Sequence, residues 1–472
     1  MRKTKIVCTL GPATDKEGIL EALINEGLDV ARFNFSHGER EDHRRRFNQI
    51  AALREKTGKY TAILLDTKGP EVRVKQFAEG KVELAEGDIF TLTTRDVIGT
   101  KECVAVTYKE FPNVIKSGSV ILIDDGLIRL KVKEVIGEDI KCEVIAGGTV
   151  SNHKGINIPN VDLKMPYISE KDKSDLLFGI EMGFDFVAAS FVRSADDVRE
   201  VRALLSLNGG ANINIISKIE NAQGVENIDE IIAESDCIMV ARGDMGVEIP
   251  AEEVPAIQKM IIKKVNNAGK QVITATQMLD SMMNNPVPTR AEVADVANAI
   301  YDGTSAIMLS GETAAGKYPI ESVKMMSKIA IKTEEDIDYK KRFFQSERAD
   351  RPDVTDAISH ATVTTSYDLD AKAIVTVTKS GRTAKKISKY RPDCEVIGCA
   401  TTENVCRQLN MSWGVTPVLL SEMSDADDLL TKAVKRSKHM GLVDVGDLVV
   451  ITAGVPVGVS GNTNMIKVET VE

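Results

Sequence analysis

The chain is short of the features that mark special protein classes. No apolar run approaches the about 18 residues of a membrane span. The amino terminus, MRKTKIVCTLGPATDK, is basic, but its apolar stretch of four to five residues is too short for a secretory signal. A cytoplasmic protein is expected. The seven cysteines (8, 103, 142, 237, 394, 399 and 406) include no CxxC pair. A zinc site and a disulfide framework are therefore not signalled, and buried reduced thiols are expected. The net charge of −10 is spread rather than blocked. That argues against nucleic acid or an anionic membrane as the main partner, though a local basic site can still hold phosphates. There is no low-complexity tract.

What is present is a long, well-mixed chain. Its 472 residues suggest two to four domains, and 43% hydrophobic with 28% charged residues fits a soluble protein with large cores. Eight short apolar runs begin near Thr4, Leu28, Tyr60, Phe184, Ile213, Cys237, Gln271 and Ala306. Helix-type spacing fills most of the gaps, as in GILEALINEG and EEVPAIQKMIIKKVNNAG. Continuous apolar runs alternating with helices read as a buried parallel sheet. Eight units predict a closed (β/α)8 TIM barrel with its active site at the C-terminal strand ends.

The rhythm breaks once. Between the third and fourth runs, about Glu71 to Pro166, alternating β-type segments such as KVELAEGDIFTLTT and SVILIDDGLIRLKVKEV predict a small β-barrel or sandwich. An insertion there would sit over the active-site face as a lid. We therefore expect a catalytic barrel at 1–70 and 167–340, a lid at 71–166, and a charged linker at 341–353. A C-terminal open α/β sheet domain should occupy 354–472.

The expected strand ends carry Arg32/Asn34/Ser36, Asp66/Lys68, Lys218/Glu220, Arg242/Asp244, Thr276 and Ser310/Glu312. A spacing of two along a strand turns both side chains to one face. Glu220 and Asp244 on adjacent strand ends suit Mg²⁺, which takes one or two protein oxygens plus substrate and water. Lys218 beside them places positive charge where a transferring phosphoryl group or an enolate needs it. A structural ion-pair network could produce any one such pair, and the convergence of several favours function. Arg32 can fork onto a phosphate. Asn34, Ser36, Asp66 and the Thr67 carbonyl offer oxygens to a hard cation, although Ser-His-Gly before a helix also reads as a cap. Thr289 and Glu292 read as a capping box.

The segments CTLGPAT, ARFNFSHG, LLDTKGPE, HKGINIP, SKIEN, MVARGDMGVE, TATQML and PTRAEVADVANAIYDGTSAIMLSGETAAGKYP occur in that order. With them the chain resembles the pyruvate kinases over its whole length, in the bacterial type without an extra C-terminal phosphoenolpyruvate-utilising domain. The resemblance implies a barrel, an inserted lid and a C-terminal domain. It implies phosphoryl transfer from phosphoenolpyruvate to ADP, giving pyruvate and ATP in the last step of glycolysis, by a homotetramer under allosteric control.

Residue by residue, it implies Lys218, Arg32 and Thr276 as catalytic groups and Arg32, Gly243, Asp244 and Thr276 as substrate-binding. Asn34, Arg73 and Lys154 match nucleotide-binding positions. Glu220 and Asp244 match ligands of Mg²⁺ (or Mn²⁺), and Asn34, Ser36, Asp66 and Thr67 those of K⁺. Glu71 in DTKGPE matches the glutamate that accompanies K⁺ dependence in the family. The following VRVKQF departs from the IRTG of many relatives but keeps Arg73. Thr378, Lys379, Ser380 and Thr383 of TKSGRT match a sugar-phosphate effector loop, over which GVPVGVSGNTN (454–464) could close. Leu430 stands where relatives activated by fructose 1,6-bisphosphate carry arginine, so a sugar monophosphate or AMP fits equally well.

Two other classes share parts of this pattern. A metal-dependent barrel lyase or aldolase acting on pyruvate enolates would not need Lys154 or the Arg32/Asn34/Ser36 set. A non-catalytic effector-binding relative would have lost Lys218 or a metal ligand.

Overall fold

Eight short strands, Lys5–Thr9, Val30–Asn34, Ala62–Asp66, Phe186–Ala189, Asn214–Ile219, Cys237–Ala241, Gln271–Ala275 and Ala306–Leu309, close into a parallel barrel in this computed structural model. They are the eight apolar runs of the sequence, here called strands one to eight. The structure describes all residues except 1, 160, 162, 164, 346–352, 421–425 and 456–462. Alternation divides each strand between two cores. Val7, Leu64, Phe186, Ile216, Met239 and Met308 fill the barrel interior, whereas Ile6, Cys8, Ile63 and Val187 pack beneath the surrounding helices. Burial on both faces is why these strands read as unbroken apolar runs. Each buried aliphatic side chain contributes about 1.5–3 kcal/mol, so the barrel is a rigid base for polar, strained strand ends.

After strand three the chain leaves the barrel at Gly69. This glycine has φ +73°, and a Cβ there would lie 2.9 Å from that of Ser190, so only glycine fits the exit. The intervening residues form a seven-stranded sheet. Its strands run, side by side, Val72–Arg73, Gly155–Asn157, Val120–Ile123, Ile128–Ile136, Asp139–Ala146, Ile89–Thr93 and Cys103–Ala105. Lys81–Leu84 pairs separately with Gly148–Ser151. On the way back Tyr167 donates its hydroxyl to Ser190 O at 2.8 Å, and Arg193 donates to Leu163 O at 3.0 Å.

A five-stranded sheet follows, with Val415–Leu419, Glu395–Ala400, Ala373–Thr378 and Leu448–Ala453 parallel and Met465–Thr470 antiparallel at the edge. It abuts the N-terminal ends of the barrel strands: Lys5 Nζ donates to Val415 O (2.8 Å) and Asn410 Nδ2 to Tyr60 O (2.6 Å). Met411 joins the barrel's interior cluster. Leu430 lies in the core of this unit, 3% exposed.

Three expectations need correction. The linker expected at 341–353 opens inside a helix, Tyr339–Gln345, because Tyr339 and Phe343 sit one turn apart and are buried. Residues 346–352 lie outside the described residues. Arg242 and Asp244 do not share a strand face, since a helix (Arg242–Glu248) starts directly after strand six and replaces the period of two by 3.6. Glu312 likewise belongs to a short helix, Gly311–Ala314, and is spent on the amides of Ser310 and Leu279. The Thr289–Glu292 capping box forms as expected.

Candidate active site

Strand two and strand three pair in register, with Asn34 opposite Asp66. Asp66 is 1% exposed and shared by two cations. Arg32 Nε donates to its Oδ2 at 2.6 Å, and Lys218 Nζ donates to its Oδ1 at 3.1 Å. The Arg32 fork is held from a second side by Thr9 Oγ1, which accepts from its NH1 at 2.9 Å. Lys218 also donates to Ser190 Oγ at 2.8 Å and lies 2.8 Å from Glu220 Oε1. The ends of strands two, three, four and five thus meet in one buried polar cluster.

Burial by itself would drive the Lys218 ammonium toward neutrality, but Asp66 and Glu220 outweigh it and raise its pKa. The Asp66 carboxyl is opposed by burial too, yet Arg32 and Lys218 hold it below the ordinary range. Glu220 goes the other way. Burial pushes it up to about 8, Asp244 adds like-charge repulsion, and Lys218 only partly offsets them. Lys218 is already engaged by Asp66, and Glu220 Oε1 receives no hydrogen bond despite the nearby ammonium. The other oxygen, Oε2, accepts from Phe191 N at 2.6 Å.

An under-compensated, buried carboxylate beside Asp244 is what a hard divalent ion would satisfy. Among the described residues no group of three acidic, histidine or cysteine side chains gathers to cage a metal. Two carboxylates leaving further positions to substrate and water fit Mg²⁺. The candidate monovalent set is also adjacent. Phe35 N donates to Asp66 O at 3.0 Å, and the Phe35 ring stacks on His43 at 4.1 Å between centroids. Asn34 Oδ1 accepts from Ser36 N at 3.0 Å. Ser36 is not the helix cap that its surroundings suggest, since the helix Arg40–Thr57 has Glu39 at that place. Thr67 O accepts from Ser190 Oγ at 2.7 Å.

Thr276 follows strand seven with φ +70°, a backbone that a β-branched residue rarely adopts. Its hydroxyl donates to Ala275 O (2.6 Å) and accepts from Gly243 N (2.7 Å). The cations of the inserted sheet unit are occupied within it: Lys154 pairs with Asp124 at 2.7 Å and Arg73 with Glu71 at 2.7 Å. The turn of the inserted unit bearing Asp124 and Asp125 approaches the barrel. Burial, then Asp244, raises the Asp125 pKa, and a Cβ on Gly126 would touch Val247. In the C-terminal unit Thr378, at a strand end, and Thr383, in the helix Arg382–Lys389, are buried, and Thr383 Oγ1 lies 2.7 Å from Thr463 Oγ1. Residues 456–462 of the glycine-rich segment lie outside the described residues.

Ser190, Phe191 and Thr9 escaped the sequence reading. Strand four ends in ALA-type small residues followed by Ser190, and a polar residue at that end was the available signal. Phe191, with φ +55°, gave none, because its contribution is a backbone N–H.

Comparison with known proteins gives the family. Residues 1–323 match the family described as "Pyruvate kinase, barrel domain", and residues 356–469 match "Pyruvate kinase, alpha/beta domain". The chain belongs to the pyruvate kinase family. A pyruvate kinase of Clostridium acetobutylicum is 50% identical, with all of both chains covered. That of Sporosarcina psychrophila is 51% identical over all of this chain and 81% of its own length. The crystal structure of a pyruvate kinase from Cryptosporidium parvum superposes with TM-score 0.94 at 38% identity, covering 100% of this chain and 96% of that one. The chain is therefore a phosphotransferase of the phosphoenolpyruvate-to-pyruvate step. Among the described residues no helix is long and apolar enough to cross a membrane.

The raised Glu220 carboxyl has a measurable consequence. Without metal, burial and the nearby Asp244 hold the Glu220 carboxyl above the ordinary glutamate range, so the folded protein releases this proton at a higher pH than the unfolded chain does. The folded state then binds more protons than the unfolded one, so this group's contribution to stability falls as pH rises through that window. In EDTA the melting temperature should drop from pH 6 to pH 8, less so in Glu220→Gln, and Mg²⁺ should flatten the slope. An identical slope in Glu220→Gln contradicts the assignment.

Proposed function

We propose that Arg32, Lys218, Glu220, Asp244 and Thr276 carry phosphoryl transfer from phosphoenolpyruvate to ADP. The observation that carries the reading is Lys218, kept charged in a buried site chiefly by Asp66. Arg32 binds the phosphoryl oxygens, its guanidinium oriented by Asp66 and Thr9. The bond between phosphorus and the enol oxygen breaks as a β-phosphate oxygen of ADP bonds to phosphorus in line, which is largely positioning and electrostatics. Lys218 stabilises the negative charge left on the enolate oxygen. A proton then adds to C3 and gives pyruvate, with Thr276 at the receiving face. Glu220 and Asp244 would hold Mg²⁺, which supplies charge neutralisation across the transferring group when bound. Closure of the lid, with Arg73 and Lys154 moving from their acidic partners to the nucleotide, would exclude water from the phosphoryl group. Pyruvate formation with and without ADP tests the reading. Turnover that does not need ADP would replace it by lyase or aldolase chemistry.

Asn34, Ser36, Asp66 and Thr67 form the proposed K⁺ site, supported by the Asn34–Asp66 register and by Glu71. Turnover in Mg²⁺-containing Tris buffer free of Na⁺ and K⁺ should be at least tenfold below that with K⁺, typical of losing one electrostatic partner. Full activity without either ion refutes the site. Regulation by a phosphorylated metabolite at Thr378, Lys379, Ser380 and Thr383, and assembly as a homotetramer, complete the proposal. The loop precedes the N-terminus of the helix Arg382–Lys389, a natural anion site.

A further inference from the structure

Strand six ends at Ala241, register partner of Ala275 at the end of strand seven. The next residue, Arg242, has a side chain only 12% exposed, yet it does not face the phosphoryl site. It turns along the end of strand seven. Nε donates to Ala275 O at 3.3 Å, and NH2 donates to Thr276 O at 2.8 Å and Gln277 O at 3.4 Å. NH1 is anchored on Asp295 Oδ1 at 2.6 Å, in the helix Arg290–Asp302. One guanidinium therefore gathers three successive carbonyls and ties them to the helix that follows.

Those carbonyls belong to a stretch that resists its own conformation. Thr276 (φ +70°) and Gln277 (φ +55°) are consecutive left-handed residues, and the first is β-branched. Such backbone persists only where surrounding contacts over-determine it, and such sites cluster where function requires a particular geometry. Here the geometry sets the Thr276 hydroxyl between Ala275 O and Gly243 N. Gly243 is tightly matched to it, since a Cβ there would come within 3.3 Å of Thr276 Oγ1. A point charge on a flexible stem cannot reproduce a planar fork that reaches three carbonyls and a carboxylate at once.

We propose that Arg242, braced by Asp295, is a positioning residue that holds Thr276 in its left-handed conformation and so fixes the hydroxyl for proton delivery at C3. The inference rests on the reading of Thr276 given above. It assigns Arg242 no contact with substrate, and separates protonation of the enolate from phosphoryl transfer.

The test uses the full-length enzyme as Arg242→Lys, Asp295→Asn, Thr276→Val and the double variant Arg242→Lys/Thr276→Val. Two readouts are compared, steady-state turnover of phosphoenolpyruvate and exchange of pyruvate methyl hydrogens in D2O. In the exchange a C3–H bond breaks to give the enolate, and a deuteron from solvent bonds to C3 in place of the proton released. Arg242→Lys should slow exchange about ten- to hundredfold, as for losing one oriented group, with KM for phosphoenolpyruvate within threefold. Asp295→Asn should shift exchange in the same direction by a smaller factor and serves alone if Arg242→Lys does not fold. The double variant should be no slower than Thr276→Val, because both substitutions remove the same placed hydroxyl. A slow Thr276→Val beside a normal Arg242→Lys overturns the clamp, as do effects that multiply in the double variant. A Thr276→Val enzyme with normal exchange and turnover overturns the reading of Thr276 itself, and the clamp's purpose with it.

Discussion

Lys218→Met should lower kcat by about a thousandfold or more, as for loss of a principal electrostatic stabiliser, with KM for phosphoenolpyruvate little changed. A thousandfold is about 4 kcal/mol of transition-state stabilisation. The asymmetry between the constants follows from geometry. The ammonium already has a counter-charge in the resting site, Asp66 at 3.1 Å. It offers little extra attraction to a bound substrate until charge develops on the enolate oxygen. An interaction that grows only along the reaction appears in kcat. Methionine is close in shape and apolar, so packing survives, although Asp66 and Glu220 lose a counter-charge. Thermal melting of the variant separates that loss from lost chemistry. Retention of a tenth of the wild-type kcat would remove Lys218 from the role.

The barrel was legible because its physics is local and repeated. Strands such as Lys5–Thr9 and Ala62–Asp66 are buried on both faces, and that burial writes a continuous apolar run. Polar groups two residues apart at the run's end were legible while the strand lasted, as for Arg32 and Asn34 on strand two. The rule failed at Arg242, where the chain enters a helix at once and turns the arginine toward residues 275–277. The linker reading of 341–353 missed the helix Tyr339–Gln345, in which an i, i+4 pair of buried aromatics, Tyr339 and Phe343, sits among charged residues. Ser190 carried a faint sequence signal. Phe191 carried none, since it serves Glu220 through its backbone.

The lid contacts could not be read in advance for a related reason. Lys154 and Asp124 are 30 residues apart and meet only because Gly155–Asn157 pairs with Val120–Ile123 in the lid sheet. Burial of Asp185, which no motif marks, ties Arg54 of the barrel to Arg407 of the C-terminal unit at 3.2 and 2.7 Å. Such long-range pairs depend on topology, and local periodicity is silent about them.

Asp66→Asn should show a different pattern from Lys218→Met. The substitution keeps shape and replaces one carboxylate oxygen by an amide donor. Both oxygens of Asp66 now accept: Oδ2 from Arg32 and Oδ1 from Lys218. With an amide there, one of the two cations faces another donor, whichever way the group is turned. Removing one partner from a buried charge cluster costs about 3–5 kcal/mol, mostly as uncompensated charge on those left behind. Arg32 and Lys218 then repel each other, and their orientation toward the phosphoryl group is lost together. We expect kcat to fall at least about a hundredfold, the usual scale for disturbing such a site. Because Asp66 also belongs to the proposed monovalent-cation oxygens, the K⁺ concentration for half activation should rise. In Lys218→Met it should stay near that of the wild type. Titrating K⁺ against both variants at saturating phosphoenolpyruvate and ADP makes the comparison. If Asp66→Asn keeps kcat within tenfold of wild type and needs no more K⁺, then Asp66 neither orients the two cations nor binds the ion.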